Sequence, residues 1–266
     1  MKKPYLFVII LAILFINGCN NDDLDVDPNY PTIIEAISDN ETDQLIGELT
    51  QTPMALCQAV DVFGFPFVNL EDTLCIDEEN WRYYATEKEI ADSAKTAIYT
   101  YGHLLNVLDT AEIEILSITT PDDILFEKFN TEYPDSAPPV WVITTRQQYY
   151  NDLLVRTSFL SIILAPDHVV GIGGHWYDNI YIPAKDNFSE IDAQESLYNL
   201  TIKSGRSEII PTSEMTWHEA KKVIVPLRRY NEIELRVCWA LYPSTWEILV
   251  DSQTGEVIAK INVSDL

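Results

Sequence analysis

From Ile233 onward the chain alternates. Ile233, Leu235, Val237, Trp239 and Leu241 take every second position, then Trp246, Ile248 and Val250, then Val257, Ala259, Ile261 and Val263. Side chains of a strand point to opposite faces in turn, so each set falls on one side of a sheet. Pro243-Ser244 and Ser252-Gln253-Thr254-Gly255 supply the turns between them. The pattern predicts an antiparallel meander with one buried face.

Upstream the signals are mixed. Thr86 with Glu89 makes a capping box, and Ile90, Ala94, Ala97, Ile98, Tyr101, Leu105 and Leu108 recur at helical spacing, so a helix is expected from Thr86 to about Asp109. A strand-like run Ile113–Ile118 follows. Residues 119–139 are rich in Pro and Asp and read as a long loop or boundary. Strands are expected at Val140–Tyr149, Val155–Leu164 and His168–Gly173. A second helix should start after Ser189, with Asp192 as reciprocal cap, and run to about Leu200. Nearer the N-terminus, Phe65–Leu70 and Thr73–Ile76 flank Glu71-Asp72 and suggest a hairpin.

The first residues carry an address. Lys2 and Lys3 precede an apolar run from Tyr5 to Ile16, the pattern of a secretory signal. The run is short of the roughly 20 residues a membrane span needs. It closes on Ile16-Asn17-Gly18-Cys19, which resembles a lipobox, whose cysteine receives diacylglycerol and becomes the first residue after cleavage. Cys19 is therefore the expected lipidation site, with 1–18 as signal peptide and 19–50 as an acidic tether. The acids that follow, Asp22, Asp23, Asp25 and Asp27, resemble a signal for outer-membrane or surface placement as well as a plain spacer.

The formal charge is −25, and −27 once Lys2 and Lys3 leave with the signal. Such a surface repels phosphate backbones and anionic head groups, which argues against nucleic acid and against membrane contact other than through the lipid. An apolar fraction of 47%, with six Trp and fourteen Tyr, is enough for a real core. An exported chain sits in an oxidising compartment, so Cys57 and Cys75, the nearest pair in sequence, are expected to form a disulfide and leave Cys238 as a thiol.

No catalytic or metal constellation emerges. His103, His168, His175 and His218 lie apart, without ligand spacing. Trp217-His218-Glu219-Ala220-Lys221-Lys222 approaches His-Glu-x-x-His but has Lys222 where the second histidine belongs. Gly171-Ile172-Gly173-Gly174 lacks the Lys-Ser and helix start of a phosphate loop. No cofactor is expected.

The closing segment Trp246–Ile258, with Val250-Asp251 and Thr254-Gly255, resembles the last hairpin of PepSY and thermolysin-type propeptide domains. Glu234–Trp239 is similar to their penultimate strand. Arg146–Val155, with Gln148-Tyr149-Tyr150, resembles the fungalysin/thermolysin propeptide motif; Phe159–Ile162 and Asp167–Gly174 fit its next strands, and Ser189–Leu200 its helix, with Ala193 as the usual small residue. The resemblance covers about residues 140–263. It implies an α+β fold, cystatin-like or PepSY-like, with antiparallel sheets each packed against a helix. The expected domains are 51–139, an N-terminal α+β region, and 140–266, the propeptide-like domain. No peptidase motif accompanies it, so the expected function is non-catalytic: binding, inhibiting or chaperoning an exported protein, a zinc peptidase among the candidates. The alternative is a structural or ligand-binding surface lipoprotein associated with glycan or nutrient uptake.

Overall fold

A computed structural model describes residues 26–49, 51, 58–68, 86–105, 107, 113–119, 141–165, 169–205 and 207–262. Along the chain these form β1 (Thr32–Glu35), α1 (Asp39–Leu49), β2 (Gln58–Val60), β3 (Pro66–Val68), α2 (Glu87–Tyr101) with a 3-10 turn at Gly102–Leu105, β4 (Ile115–Thr119) and β5 (Trp141–Thr145). Then come β6 (Tyr149–Tyr150), β7 (Leu153–Val155), β8 (Leu160–Leu164), β9 (Val169–Gly174), α3 (Glu190–Glu195), β10 (Ile202–Ser204) and β11 (Ser207–Ile209). The last four strands are β12 (Trp217–Arg228), β13 (Glu232–Pro243), β14 (Trp246–Asp251) and β15 (Val257–Asn262). The fold is α+β and mostly strand. It divides into two compact units, a larger one from Asn29–Ile182 and Glu219–Ala240, and a smaller one chiefly from Pro183–His218 and Leu241–Leu266.

The larger unit is organised by α2 lying on the sheet β4-β5-β8-β9. Thr86 starts α2 as expected: its Oγ1 accepts from the Glu89 N–H, and the Glu89 carboxylate accepts from the Thr86 N–H. Ile90, Ala94, Ala97 and Ile98 form its buried stripe. They meet a row across three paired strands, Ile143 opposite Ile162 and Ile162 opposite Ile172, each at most 2% exposed. Burial of each such aliphatic side chain contributes about 1.5–3 kcal/mol. The helix ends earlier than its apolar period suggested, because Gly102 turns the chain into the 3-10 segment and its carbonyl accepts from the Val107 N–H.

A second group of strands in this unit runs β13-β12-β7-β6, with β1 also pairing β13. β7 runs parallel to β12, Val223 opposite Leu154 and Ile224 opposite Val155, so this group of strands is mixed; the strands expected to form the meander begin only at β13. Tyr30, just ahead of β1, fixes β13: its hydroxyl accepts from the Val237 N–H at 2.9 Å and donates to the Val237 carbonyl.

In the smaller unit β14 and β15 form the expected hairpin, Trp246 opposite Asn262 and Leu249 opposite Ala259. Asp251 organises its turn. The Asp251 carboxylate accepts from the N–H groups of Gln253 and Thr254 at 2.7 and 3.0 Å, and Gly255 then takes φ +71°. A Cβ on Gly255 would sit 2.6 Å from the Phe188 ring. The Val-Asp-x-x-Thr-Gly run is thus the chemistry of a tight turn. Ile248, Leu249 and Val250 are all buried, so both faces of β14 are covered rather than one.

Several expectations change. The Pro66–Val68 strand pairs with β2; the hairpin expected with Thr73–Ile76 falls on residues 69–76, which lie outside the described set, as do Cys19, Cys57 and Cys75. The strand drawn across 155–164 is two, β7 and β8, parted where Thr157 takes φ +57°. The second helix is capped by Ser189 and Asp192 as expected but spans only Glu190–Glu195, about 9 Å. That is too short to roof a sheet; among the described residues α2 lies on the four-stranded sheet and α1 contacts β2 of the two-stranded one. The boundary read at 139/140 falls between β4 and β5, which pair in one sheet, Ile118 opposite Ile143.

Candidate functional site

The residues that alternate with the buried row of the four-stranded sheet point away from α2. Val142 lies opposite Ile163, and Ser161 opposite Gly173. β3 stands beside β9, and between it and the sheet lies a groove of about 470 Å³ lined by Pro66, Phe67, Val142, Phe159, Ile163 and Gly173. Phe67 and Phe159 are 47% and 40% exposed, large apolar rings left facing solvent.

One end of the groove is polar and built from three distant segments. Asp61 closes the β2–β3 turn: its Oδ1 accepts from the N–H groups of Phe63 and Phe65 at 2.9 and 3.0 Å, and Gly64 takes φ +83°. Its Oδ2 accepts from Arg228 Nη2 at 2.9 Å, at the end of β12. The Arg228 guanidinium also lies 4.7 Å over the Phe63 ring. Behind them His175 sits 4.8 Å from Phe65 and is stacked on Tyr177 at 6.3 Å. Desolvation lowers the His175 pKa, partly offset by the Asp61 charge, and pushes Tyr177 up to about 12. The Gln148 side chain fixes Tyr177 by donating to its carbonyl and accepting from its N–H.

Asp61, Ser161 and His175 all line this groove, the residue types of an acyl-transfer triad. Such a triad works through hydrogen bonds from nucleophile to base to acid. Here Asp61 is engaged by two backbone N–H groups and an arginine, and its hydrogen bonds run to neither Ser161 nor His175. What the arrangement offers is an apolar trough with a charged end, suited to holding a chain segment.

The sequence-derived candidates scatter. His218, Glu219 and Lys222 lie on strand β12, where residues one and four apart do not share the helical face that His-Glu-x-x-His chemistry requires. Cys238 is a fully buried thiol directed at the Arg236 carbonyl at 3.8 Å. Gly171–Gly174 is strand β9, forming part of the groove wall. Among the described residues no three His, Cys, Asp or Glu side chains gather as metal ligands would, and no helix is long and apolar enough to cross a membrane. The groove itself was missed: Asp61, Phe159, His175 and Arg228 come together only through pairing of distant strands. The Asp61-Val62-Phe63-Gly64 turn was its one local signal.

No protein family and no curated protein matches this sequence. Among solved structures, the C-terminal domain of YpeB from Bacillus megaterium is similar at 10% identity, over 85% of this chain and 98% of that one, with a TM-score of 0.30.

Proposed function

We propose that this protein is a lipid-anchored, non-catalytic recognition protein of the cell envelope, whose larger unit holds an apolar segment of an exported partner in the β3–β9 groove. The observation that carries this reading is the pair of exposed rings, Phe67 and Phe159, flanking an apolar trough of about 470 Å³. Rings in such positions are the anchors on which interfaces concentrate their energy. The charge of −25 favours an apolar segment flanked by Lys or Arg. The resemblance of residues 140–263 to PepSY and propeptide modules supports the same class of function, with a thermolysin-type peptidase among the candidate partners. The Cys19 lipid would hold the protein where such partners emerge.

The test places a photo-crosslinking amino acid at Phe67 in the full chain in its native membrane. The crosslinked partner peptide, read by mass spectrometry, should be apolar with basic flanks, and Phe159→Ser should abolish its capture. Capture unaffected by Phe159→Ser, or capture of acidic peptides alone, overturns the groove assignment. Hydrolysis of a peptide or ester by the pure protein, lost on changing Ser161 or His175, overturns the non-catalytic one.

A further inference from the structure

A second hollow of the larger unit has different chemistry. It measures about 480 Å³ and is lined by Glu114, Arg146, Gln147, Tyr149, Asn151, Asp152 and Trp176. Trp176 is its most enclosed member at 8% exposure, while Tyr149 stands 59% exposed at the lip. The hairpin β6–β7 turns on two residues only, Asn151 and Asp152, with φ +48° and +64° between the pair Tyr150 and Leu153. A tight turn of this kind fixes both side chains at the rim rather than leaving them on a floppy loop.

The charges narrow the ligand. Among the described residues of the lining the one cation is Arg146, held by Glu114 at 3.0 Å. Asp152 is left over, so the hollow carries two carboxylates to one guanidinium and repels phosphate and carboxylate ligands. What remains is two amides, a carboxylate and two aromatic rings. Amides and carboxylates pair with vicinal hydroxyls as donors and acceptors, and the exposed Tyr149 ring can receive the C–H face of a sugar. A few convergent polar groups around an aromatic surface are the usual make-up of a small-molecule site.

We infer that this hollow binds a neutral saccharide, one or two residues of a hydroxyl-rich glycan stacked on the exposed ring of Tyr149 above the enclosed Trp176 and hydrogen-bonded by Gln147, Asn151 and Asp152. The inference rests on residues outside the β3–β9 groove and stands or falls apart from it.

The experiment titrates the detergent-solubilised full chain calorimetrically with neutral hexasaccharides of glucose, mannose and N-acetylglucosamine, and with an acidic hyaluronan hexasaccharide. At least one neutral probe should bind. Asp152→Gly keeps the positive φ and removes the carboxylate, and Tyr149→Ala removes an exposed ring, so both should fold; each should weaken binding about tenfold. Phe67→Ser should leave it unchanged. Near-ultraviolet circular dichroism identical to the parent certifies each variant. No neutral binding at about 10 mM, affinity within about twofold of the parent in both hollow variants, or equal binding of the acidic probe each overturns the inference.

Discussion

Burial sets the protonation of the rings behind the groove. Tyr177 is only 4% exposed, and desolvation first, then the Asp61 charge, pushes its phenol from 10.0 up to about 12. The folded protein therefore keeps a proton that the unfolded chain releases above pH 10. Stability contributed by the neutral phenol is complete below pH 10 and is lost as pH rises from 10 toward about 12, in total roughly 3 kcal/mol. Tyr177→Phe has no proton to lose, so its urea midpoint should fall less between pH 9 and pH 11 than that of the parent. Equal slopes would show that the ring is not desolvated as its surroundings imply. His175 works in the opposite direction: its lowered pKa keeps it neutral when the unfolded chain takes up a proton, so its share of stability is lost as pH falls below about 6.5. Gly174 is a different case of one residue deciding a site. At φ +126° a Cβ there would lie 2.1 Å from the Phe159 carbonyl oxygen, so only glycine lets β9 close against the chain that carries Phe159.

Helix starts were the most legible elements because a capping box is local. Thr86 with Glu89 and Ser189 with Asp192 close as the sequence indicates, and Ser38 with Glu41 closes a third, for a helix hidden in a segment read as tether. That segment was misread because α1 buries only Leu49 and shows little apolar stripe. Removing the α2 cap tests how much such boxes contribute. Thr86→Ala leaves the Glu89 N–H without its side-chain acceptor and should lower stability by about 1 kcal/mol in urea unfolding of the full chain. No change would mean that packing of Ile90 and Ile98 alone positions the helix. Strands were legible where apolar residues alternate, in β13 to β15. They were illegible where partners are remote: β12 carries His218, Glu219, Lys221 and Lys222 at its start, and its pairing with β7 joins residues some seventy apart. The groove shares that fate, since no local pattern announces that residues 61, 159, 175 and 228 will line one wall.

At the scale of the whole molecule, the charge and the proposed anchor would complement each other. Without the proposed signal the chain would carry −27, and anionic head groups would repel it. Among the described residues no helix offers a span. On the proposed reading attachment rests on Cys19, whose diacylglycerol would supply the two acyl chains that stable anchoring needs, where a single chain binds only marginally. The acids after Cys19 would keep the folded units clear of the bilayer. Cys19→Ser should therefore do more than weaken attachment. It should block lipidation and leader cleavage together, and any protein released should move wholly from the detergent phase to the aqueous phase on phase separation. Salt should not restore attachment, because screening removes a repulsion without creating an attraction. A Cys19→Ser protein that stays in the detergent phase with its leader cleaved would show that another part of the chain holds the membrane, and the lipid reading would fall.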